Sequence, residues 1–269
     1  MSLDAARAAE LDAFLLALNR ASGEVILPLF RADHGLVDKG ERGFDPVTEA
    51  DKGAERVIRQ MIAERYPDHG VIGEEYGEDR PDAEFVWVLD PVDGTRAFIA
   101  GLPLWTTLIG LRFQGKPVIG SIGQPFLGEV FIGGPAGSRL VVANGEVPLK
   151  VRACPKLTDA IIATTDPEMC FNGAELGAWT QVRAAAKLAR LGCDAYAYAM
   201  VAQGTMDLVV EAGLKSWDIE AAIPVVEGAG GLVTNWRGQP VGQSGGQIAI
   251  AGDRAVLDEA LVALKRSAK

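Results

Sequence analysis

The sequence predicts an α/β (α+β) protein in two parts, and three observations carry that expectation. Two amphipathic helical patterns open the chain, short β-like runs with turn signals between them fill its middle, and beyond about residue 150 apolar runs alternate with helical ones. The change in texture divides the chain into an N-terminal α+β half with an antiparallel meander, residues 1–145, and a C-terminal α/β half, residues 146–269. No repeat or low-complexity linker separates them, and 269 residues suffice for a sizeable core, so the two halves are expected to pack as one compact molecule.

Taken in order, residues 4–30 set Ala8, Leu11, Leu15 and Leu18 at helical spacing. A Gly-rich charged loop, HGLVDKGERGFDPVTEAD, follows. A second helix is predicted over 49–65, with Ala54, Val57, Ile58, Met61 and Ile62 on one face and Tyr66-Pro67 as its stop. Strands are predicted at 85–89, 106–113, 118–122, 129–132 and 139–142. In the second half strands at 160–163, 208–210 and 248–251 alternate with helices at 180–189, 217–229 and 254–266. The segment GLRFQGKP, 110–117, fits GxxxxGK but has Pro117 where a nucleotide-binding loop needs Ser or Thr. It also continues as a strand rather than a helix, so it reads as a hairpin turn.

Composition excludes several classes. A formal net charge of −10 argues against a nucleic-acid or anionic-membrane partner, while leaving room for an anionic substrate if divalent cations invert the local field. Cys154, Cys170 and Cys193 show no CxxC spacing and read as reduced thiols of a cytoplasmic protein. The first twenty residues carry acids throughout and do not read as a signal peptide. The apolar stretch around 97–111 is broken by Gly101 and Pro103 and is too short to span a bilayer. His34 and His69 sit in no HExxH or HxxEH frame and read as surface residues.

What remains is a set of acids in places where a turn alone does not call for them. In DPVTEAD, 45–51, Thr48 and Asp51 form a [ST]-x-x-[DE] helix-capping box, which suffices to explain them locally. In IGEE, 72–75, an apolar run ends in adjacent acids, either a solvated loop or a ligand at Glu74. In LDPVDGTRAF, 89–98, Asp90 and Asp93 flank a Pro-Val step straight after a strand, so both carboxylates can turn toward one point with carbonyl oxygens between them. Hard cations such as Mg²⁺ take oxygen ligands of this kind. Gly94-Thr95 then offers free backbone N–H groups to an anion if a helix starts there. In EAGLKSWDIEAA, 211–222, Asp218 precedes a helical run and fits an N-cap, while Glu211 closes a strand. A cluster of acids without a catalytic His or Cys disfavours triad chemistry.

These residues resemble the inositol monophosphatase family, a set of lithium-sensitive, Mg²⁺-dependent phosphatases. DPVTEADKGAE, GVIGEE, WVLDPVDGTRAF and WDIEAAIPVVEGAGG follow the family's order and spacing across residues 39–231. The resemblance implies a layered α-β-α-β-α sandwich of the inositol monophosphatase and fructose-1,6-bisphosphatase type, and commonly a homodimer. It implies two or three Mg²⁺ ions held by Glu74, Asp90, the Val92 carbonyl, Asp93 and Asp218. Asp51 and Thr95 would orient and deprotonate a water, Gly94 and Thr95 would cradle the phosphate, and Lys39 would stand on a mobile loop that closes over it. Glu74 counts among the catalytic residues and Asp93 among those that meet substrate. Arg96 is either an active-site charge or a surface ion-pair partner. Within the family, DGTRAFI and LGCDAYAY lean toward the histidinol-phosphate phosphatases of histidine biosynthesis, although Cys193 stands where these often have a second Gly. Asp194 and Glu211 would give a cationic substrate two carboxylates, more than an uncharged polyol needs. Inositol or another sugar phosphate is the alternative substrate, and a non-catalytic metal- or phosphate-binding regulator the alternative class.

Overall fold

The computed structural model describes residues 3–33, 35–38 and 46–269. Lys39, with Gly40 and Gly43 of its loop and His34 before it, lies outside the described residues.

Helix α1 (Ala5–Ile26) starts on the Asp4 side chain, which accepts the Arg7 N–H at 2.8 Å, and buries Leu11, Leu15 and Leu18. It stops short of the predicted residue 30. Leu27–Leu29 is a single 3₁₀ turn because Pro28 cannot continue the α-helical ladder. A two-stranded ribbon of β1 (Val37–Asp38) and β2 (Pro46–Val47) leads to α2 (Glu49–Arg65), whose bounds agree with the prediction and which ends at Tyr66.

An eight-stranded sheet follows, built from β3 (Gly70–Gly73), β4 (Gly77–Asp79), β5 (Phe85–Asp93), β6 (Thr106–Phe113), β7 (Lys116–Gln124), β8 (Glu129–Gly134), β9 (Gly137–Val142) and β10 (Gly145–Pro148). Its order is β10-β9-β8-β7-β6-β5-β3-β4, antiparallel throughout except for β3 beside β5. The short helix α3 (Thr95–Ile99) leaves the sheet after β5. The GLRFQGKP decoy is the β6–β7 hairpin, its Gln114-Gly115 turn holding φ of 50° and 77° as a right-twisted two-residue connection requires.

The second half contains β11 (Ile161–Thr164), α4 (Pro167–Cys170), α5 (Gly173–Ala185), β12 (Leu188–Leu191), α6 (Tyr196–Ala202), β13 (Leu208–Leu214), α7 (Ser216–Ile219), α8 (Ala222–Gly228), β14 (Leu232–Thr234), β15 (Gly246–Ala251) and α9 (Arg254–Leu264). Its five-stranded sheet runs β12-β11-β13-β15-β14, with β11 parallel to both neighbours. Two sequence expectations fail here. The helix expected at 180–189 begins earlier, on the Asn172–Glu175 capping box, and 188–191 pairs with β11 as an edge strand. The helix expected at 217–229 is two helices, because Pro224 has no N–H for the Glu220 carbonyl four residues back.

The layers follow from the packing. Helices α1 and α2 cover one face of the eight-stranded sheet, α6 and α8 fill the space between the two sheets, and α5 and α9 cover the far face of the smaller one. This is the expected α-β-α-β-α sandwich. Its middle layer lies close to the large sheet at Gly120 and Gly133, where a Cβ would stand 2.2 Å from the carbonyl oxygens of Ala221 and Pro224. That approach presses the α7–α8 junction, and with it Asp218, toward the strand ends. Among the described residues no helix is long and apolar enough to cross a membrane.

Candidate active site

The expected strand end at Leu89 is where the structure departs most usefully from the sequence reading. Strand β5 runs on to Asp93. Asp90 pairs with Leu108 and Asp93 with Thr106, so three steps along β5 match two along β6. That extra residue is a β-bulge. Strand alternation would send residues three apart to opposite faces, and the bulge turns Asp90 and Asp93 back to one side. Asp90 accepts the Val92 N–H at 3.1 Å, and the Thr107 hydroxyl donates to the Pro91 carbonyl at 2.8 Å, which fixes the step.

Asp218 joins them from α7, where its Oδ2 accepts the Lys215 N–H at 2.7 Å. It therefore sits in the first turn of the helix rather than at the N-cap. Carboxylate oxygens of Asp90, Asp93 and Asp218 lie within 4.8 Å of one another. They line a cavity of about 280 Å³ with Glu74, Val92, Gly94, Thr95, Arg96, Asp194 and Glu211. Of the described residues expected in the site, only Asp51 is absent from that wall, and it stands directly behind Thr95. The Thr48 N–H and hydroxyl both donate to Asp51 Oδ2, completing the capping box. The other oxygen, Oδ1, faces the Thr95 hydroxyl at 3.4 Å, and that hydroxyl is also 3.2 Å from the Val92 carbonyl.

Asp194 and Glu211 come from other elements. Asp194 occupies a left-handed turn, φ 45°, ahead of α6, close enough to Gly94 that a Cβ there would stand 3.0 Å from its Cγ. The next N–H, of Ala195, donates to Asp93 at 2.8 Å and ties this loop to the bulge. Glu211, expected to end its strand, lies in mid β13 because the strand runs on to Leu214. It accepts the Thr165 N–H at 2.7 Å, the Thr165 hydroxyl at 2.9 Å and the Thr164 hydroxyl at 3.2 Å. Arg96 is exposed on the cavity wall, against the Met169 sulfur, and its charge favours ionised Asp194.

Burial governs the electrostatics. It raises Asp90 and Asp93 well above the usual carboxylate range, with neighbouring acids adding to the effect. It raises Asp194 and Asp218 to about 6, and Glu211 to about 8 despite its three donors. Asp51 is raised too, against its bonds from Thr48. Six carboxylates and one cation, Arg96, line the described cavity. Oxygen donors this crowded and this short of positive charge suit a hard divalent cation, which would restore their ionised form. The residues present thus fit Mg²⁺, with Asp90, Asp93, Asp218, Glu74 and the Val92 carbonyl as the groups to hold it.

Some residues of the cavity had no place in the sequence reading. Thr165 and Tyr198 line it, and Met169, Cys170 and Leu214 close its sides. Tyr198 stood within the GCDAYAY segment, and the Thr-Thr pair ending an apolar strand was a usable signal; the other three carried none. His69, read as a surface residue, is 6% exposed. Its ring is stacked between Tyr66 and Phe85, and its Nδ1 accepts the Trp87 indole N–H at 3.1 Å. Tyr66 is local, but Phe85 and Trp87 come from the neighbouring strand β5, where local sequence cannot show them.

A layered sandwich with an acid cluster between its two sheets is the architecture of a metal-dependent phosphatase. The chain belongs to the inositol monophosphatase family, which it matches over residues 7–269. It is 46% identical over 235 residues to the bifunctional phosphatase IMPL2, chloroplastic, of Arabidopsis thaliana, a match covering 86% of this chain and 66% of that protein. To a histidinol-phosphatase of Chlorobaculum parvum it is 34% identical, over 83% of this chain and 85% of the relative. Among solved structures, an inositol monophosphatase from Zymomonas mobilis superposes with a TM-score of 0.85 at 37% identity, covering 96% of this chain and 98% of that one.

Proposed function

We propose that the protein is a Mg²⁺-dependent phosphomonoesterase that hydrolyses L-histidinol phosphate to L-histidinol and phosphate, within histidine biosynthesis. The observation that carries the substrate choice is a pair of further acids, half-buried Asp194 and buried Glu211, which share the cavity wall with the three-aspartate cluster without belonging to it. An ammonium and an imidazole gain from two carboxylates, whereas an uncharged polyol leaves at least one of them without an ionic partner.

In this reading Glu74, Asp90, Val92 O, Asp93 and Asp218 hold two or three Mg²⁺ ions, which supply Lewis acidity and neutralise charge during in-line displacement. The chain's own groups do the rest. The Thr95 hydroxyl and Asp51 take up the proton of the attacking water, Thr95 Oγ passing its proton toward Asp51 Oδ1 across the 3.4 Å gap. Burial makes Asp51 a stronger base than a free carboxylate. The Gly94 and Thr95 N–H groups donate to the phosphate oxygens, and Asp93 meets the phosphate end of the substrate. Lys39 screens the phosphate from water, and Arg96 sets the ionisation of Asp194 beside the substrate. The two sheets divide the work, residues 1–145 supplying most metal ligands and 146–269 the substrate wall. Lithium inhibition, a homodimer and residence in the cytoplasm belong to the same reading.

A second reading, inositol or another sugar phosphate as substrate, is favoured by the similarity to the Zymomonas inositol monophosphatase. A purely binding role sits poorly with the Asp51–Thr95 pair, since a metal binder has no use for groups that activate water. The test is phosphate release from L-histidinol phosphate and from inositol 1-phosphate under equal Mg²⁺. A higher kcat/KM for the histidinol ester is expected. Faster turnover of the inositol ester would replace the substrate but keep the chemistry, and no Mg²⁺-dependent release from a panel of phosphomonoesters would leave the binding role.

A further inference from the structure

Glu55 is a fully buried acid outside the cavity wall, and the proposed chemistry gives it no task. It lies on α2, one turn beyond Asp51. A buried carboxylate persists only if its oxygens are well satisfied, and the partners of Glu55 are specific. The Glu75 N–H donates to Oε2 at 2.8 Å, the Tyr76 N–H donates to Oε1 at 3.2 Å, and the Arg59 Nε–H donates to Oε1 at 2.7 Å. Arg59 reaches on to the Gly77 carbonyl. Gly73 makes room for the carboxylate, since a Cβ there would stand 2.1 Å from Oε1.

Residues 73 to 77 are the hairpin turn between β3 and β4. Gly73, Glu75, Tyr76 and Gly77 each meet Glu55 or Arg59, and Glu74, between them, is the residue whose side chain lines the cavity. Its own N–H donates to the Leu89 carbonyl at 3.2 Å, one residue before Asp90. The turn is therefore pinned on one side to β5 and on the other to α2.

The geometry points to Glu55 as a positioning residue for Glu74: by gripping the two N–H groups that follow Glu74, it fixes where that carboxylate stands relative to Asp90 and so sets the affinity of the site for its divalent cation. Because Asp51 and Glu55 share one helix four residues apart, α2 registers the water-activating acid and the cation-facing acid as one rigid unit. The inference rests on the proposed reading of Glu74 as a metal ligand.

The test is direct binding of Mn²⁺ to the purified protein, followed by electron paramagnetic resonance of the free ion, together with the Mg²⁺ dependence of phosphate release. Glu55→Gln keeps the size of the side chain but turns an NH₂ against N–H donors. It is expected to weaken Mn²⁺ binding by about 10- to 100-fold and to raise half-saturating Mg²⁺ in step, with the rate recovering at high Mg²⁺. The double variant with Glu74→Gln should bind no more weakly than Glu74→Gln alone, because the two act through one group; a general loosening of the fold would add instead. If Glu55→Gln does not fold, Glu55→Asp, which draws the charge back from the turn, carries the same measurement. Wild-type Mn²⁺ affinity in a folded Glu55 variant overturns the inference, as do additive losses in the double variant. Wild-type affinity in Glu74→Gln overturns the reading of Glu74 beneath it, so the two failures are told apart.

Discussion

The acids at the bulged end of β5 and those on the five-stranded side of the cavity are all carboxylates that desolvation pushes toward their protonated form, yet they are arranged on different principles. Asp90 and Asp93 share one bulge with Asp218 beside them; Glu74, Asp93 and Asp218 raise Asp90, and Asp194 and Asp218 raise Asp93, beyond what burial alone does. Glu211 sits in mid-strand, raised to about 8 by burial, with the Asp194 charge acting the same way, against three hydrogen bonds from Thr164 and Thr165. Asp194 is raised to about 6 by burial while Arg96 opposes it. Crowded acids call for a concentrated charge that several oxygens can share, a divalent cation. Acids outside that cluster, Glu211 on its Thr164 and Thr165 donors and Asp194 beside Arg96, suit organic cations. Under the proposed function, the cavity thus divides into an end that performs the chemistry on any phosphate and an end that chooses what carries it.

The largest effect should come from breaking the crowded end. Asp93→Asn removes a proposed ligand and the acceptor of the Ala195 N–H together. It is expected to lower Mg²⁺-dependent phosphate release by more than the ~10–100-fold that outer-shell partners of a metal cost, and by the same factor for every phosphomonoester tested. Undiminished activity would remove this cluster from the mechanism. Glu211→Gln should act more narrowly. Losing one charge-assisted contact costs about 1.5–3 kcal/mol, or roughly 10- to 150-fold in kcat/KM, for histidinol phosphate and little for inositol 1-phosphate. Equal losses on both substrates would erase the distinction between the two ends.

How much of this was legible in the sequence depends on the range of the interaction. The capping box at Thr48–Asp51, the stop at Tyr66-Pro67 and the β6–β7 turn are local, and the chain spells them out. LDPVDGTRAF showed that Asp90 and Asp93 belong together but not how, because the bulge that faces them alike is a matter of register against β6. The seat of Glu211 depends on Thr164 and Thr165, more than forty residues earlier, and that of Asp93 on the N–H of Ala195, 102 residues later. Glu55 reads from sequence as one more charge on an amphipathic helix; only the fold brings residues 73–77 around it. Strand β12 was mistaken for helix because its partner β11, not its own Leu-Ala-Arg-Leu composition, decides its conformation.

The smallest effect separates the two regions by the sign of their pH dependence in the metal-free protein. His69, just before β3, is pushed by burial from its ordinary 6.5 down to about 4, with the Arg7 charge acting in the same direction. The folded state keeps the ring neutral where the unfolded chain would protonate it, so stability is lost as pH falls from 6.5 through 4. Glu211 works the other way. Its folded value of about 8 lies above the ordinary 4.5, the folded state holds the proton longer, and stability is lost as pH rises from 4.5 through 8. His69→Phe preserves the stack between Tyr66 and Phe85 but strands the Trp87 N–H, at a cost of about 1–3 kcal/mol near neutrality. Its melting temperature in EDTA should therefore start lower than that of the wild type and fall less steeply between pH 6.5 and 4. Glu211→Gln should instead flatten the decline between pH 4.5 and 8 and leave the acid limb as steep as before. If both variants flatten the same limb, the two halves do not titrate apart, and burial at one of these residues has been assigned the wrong sign.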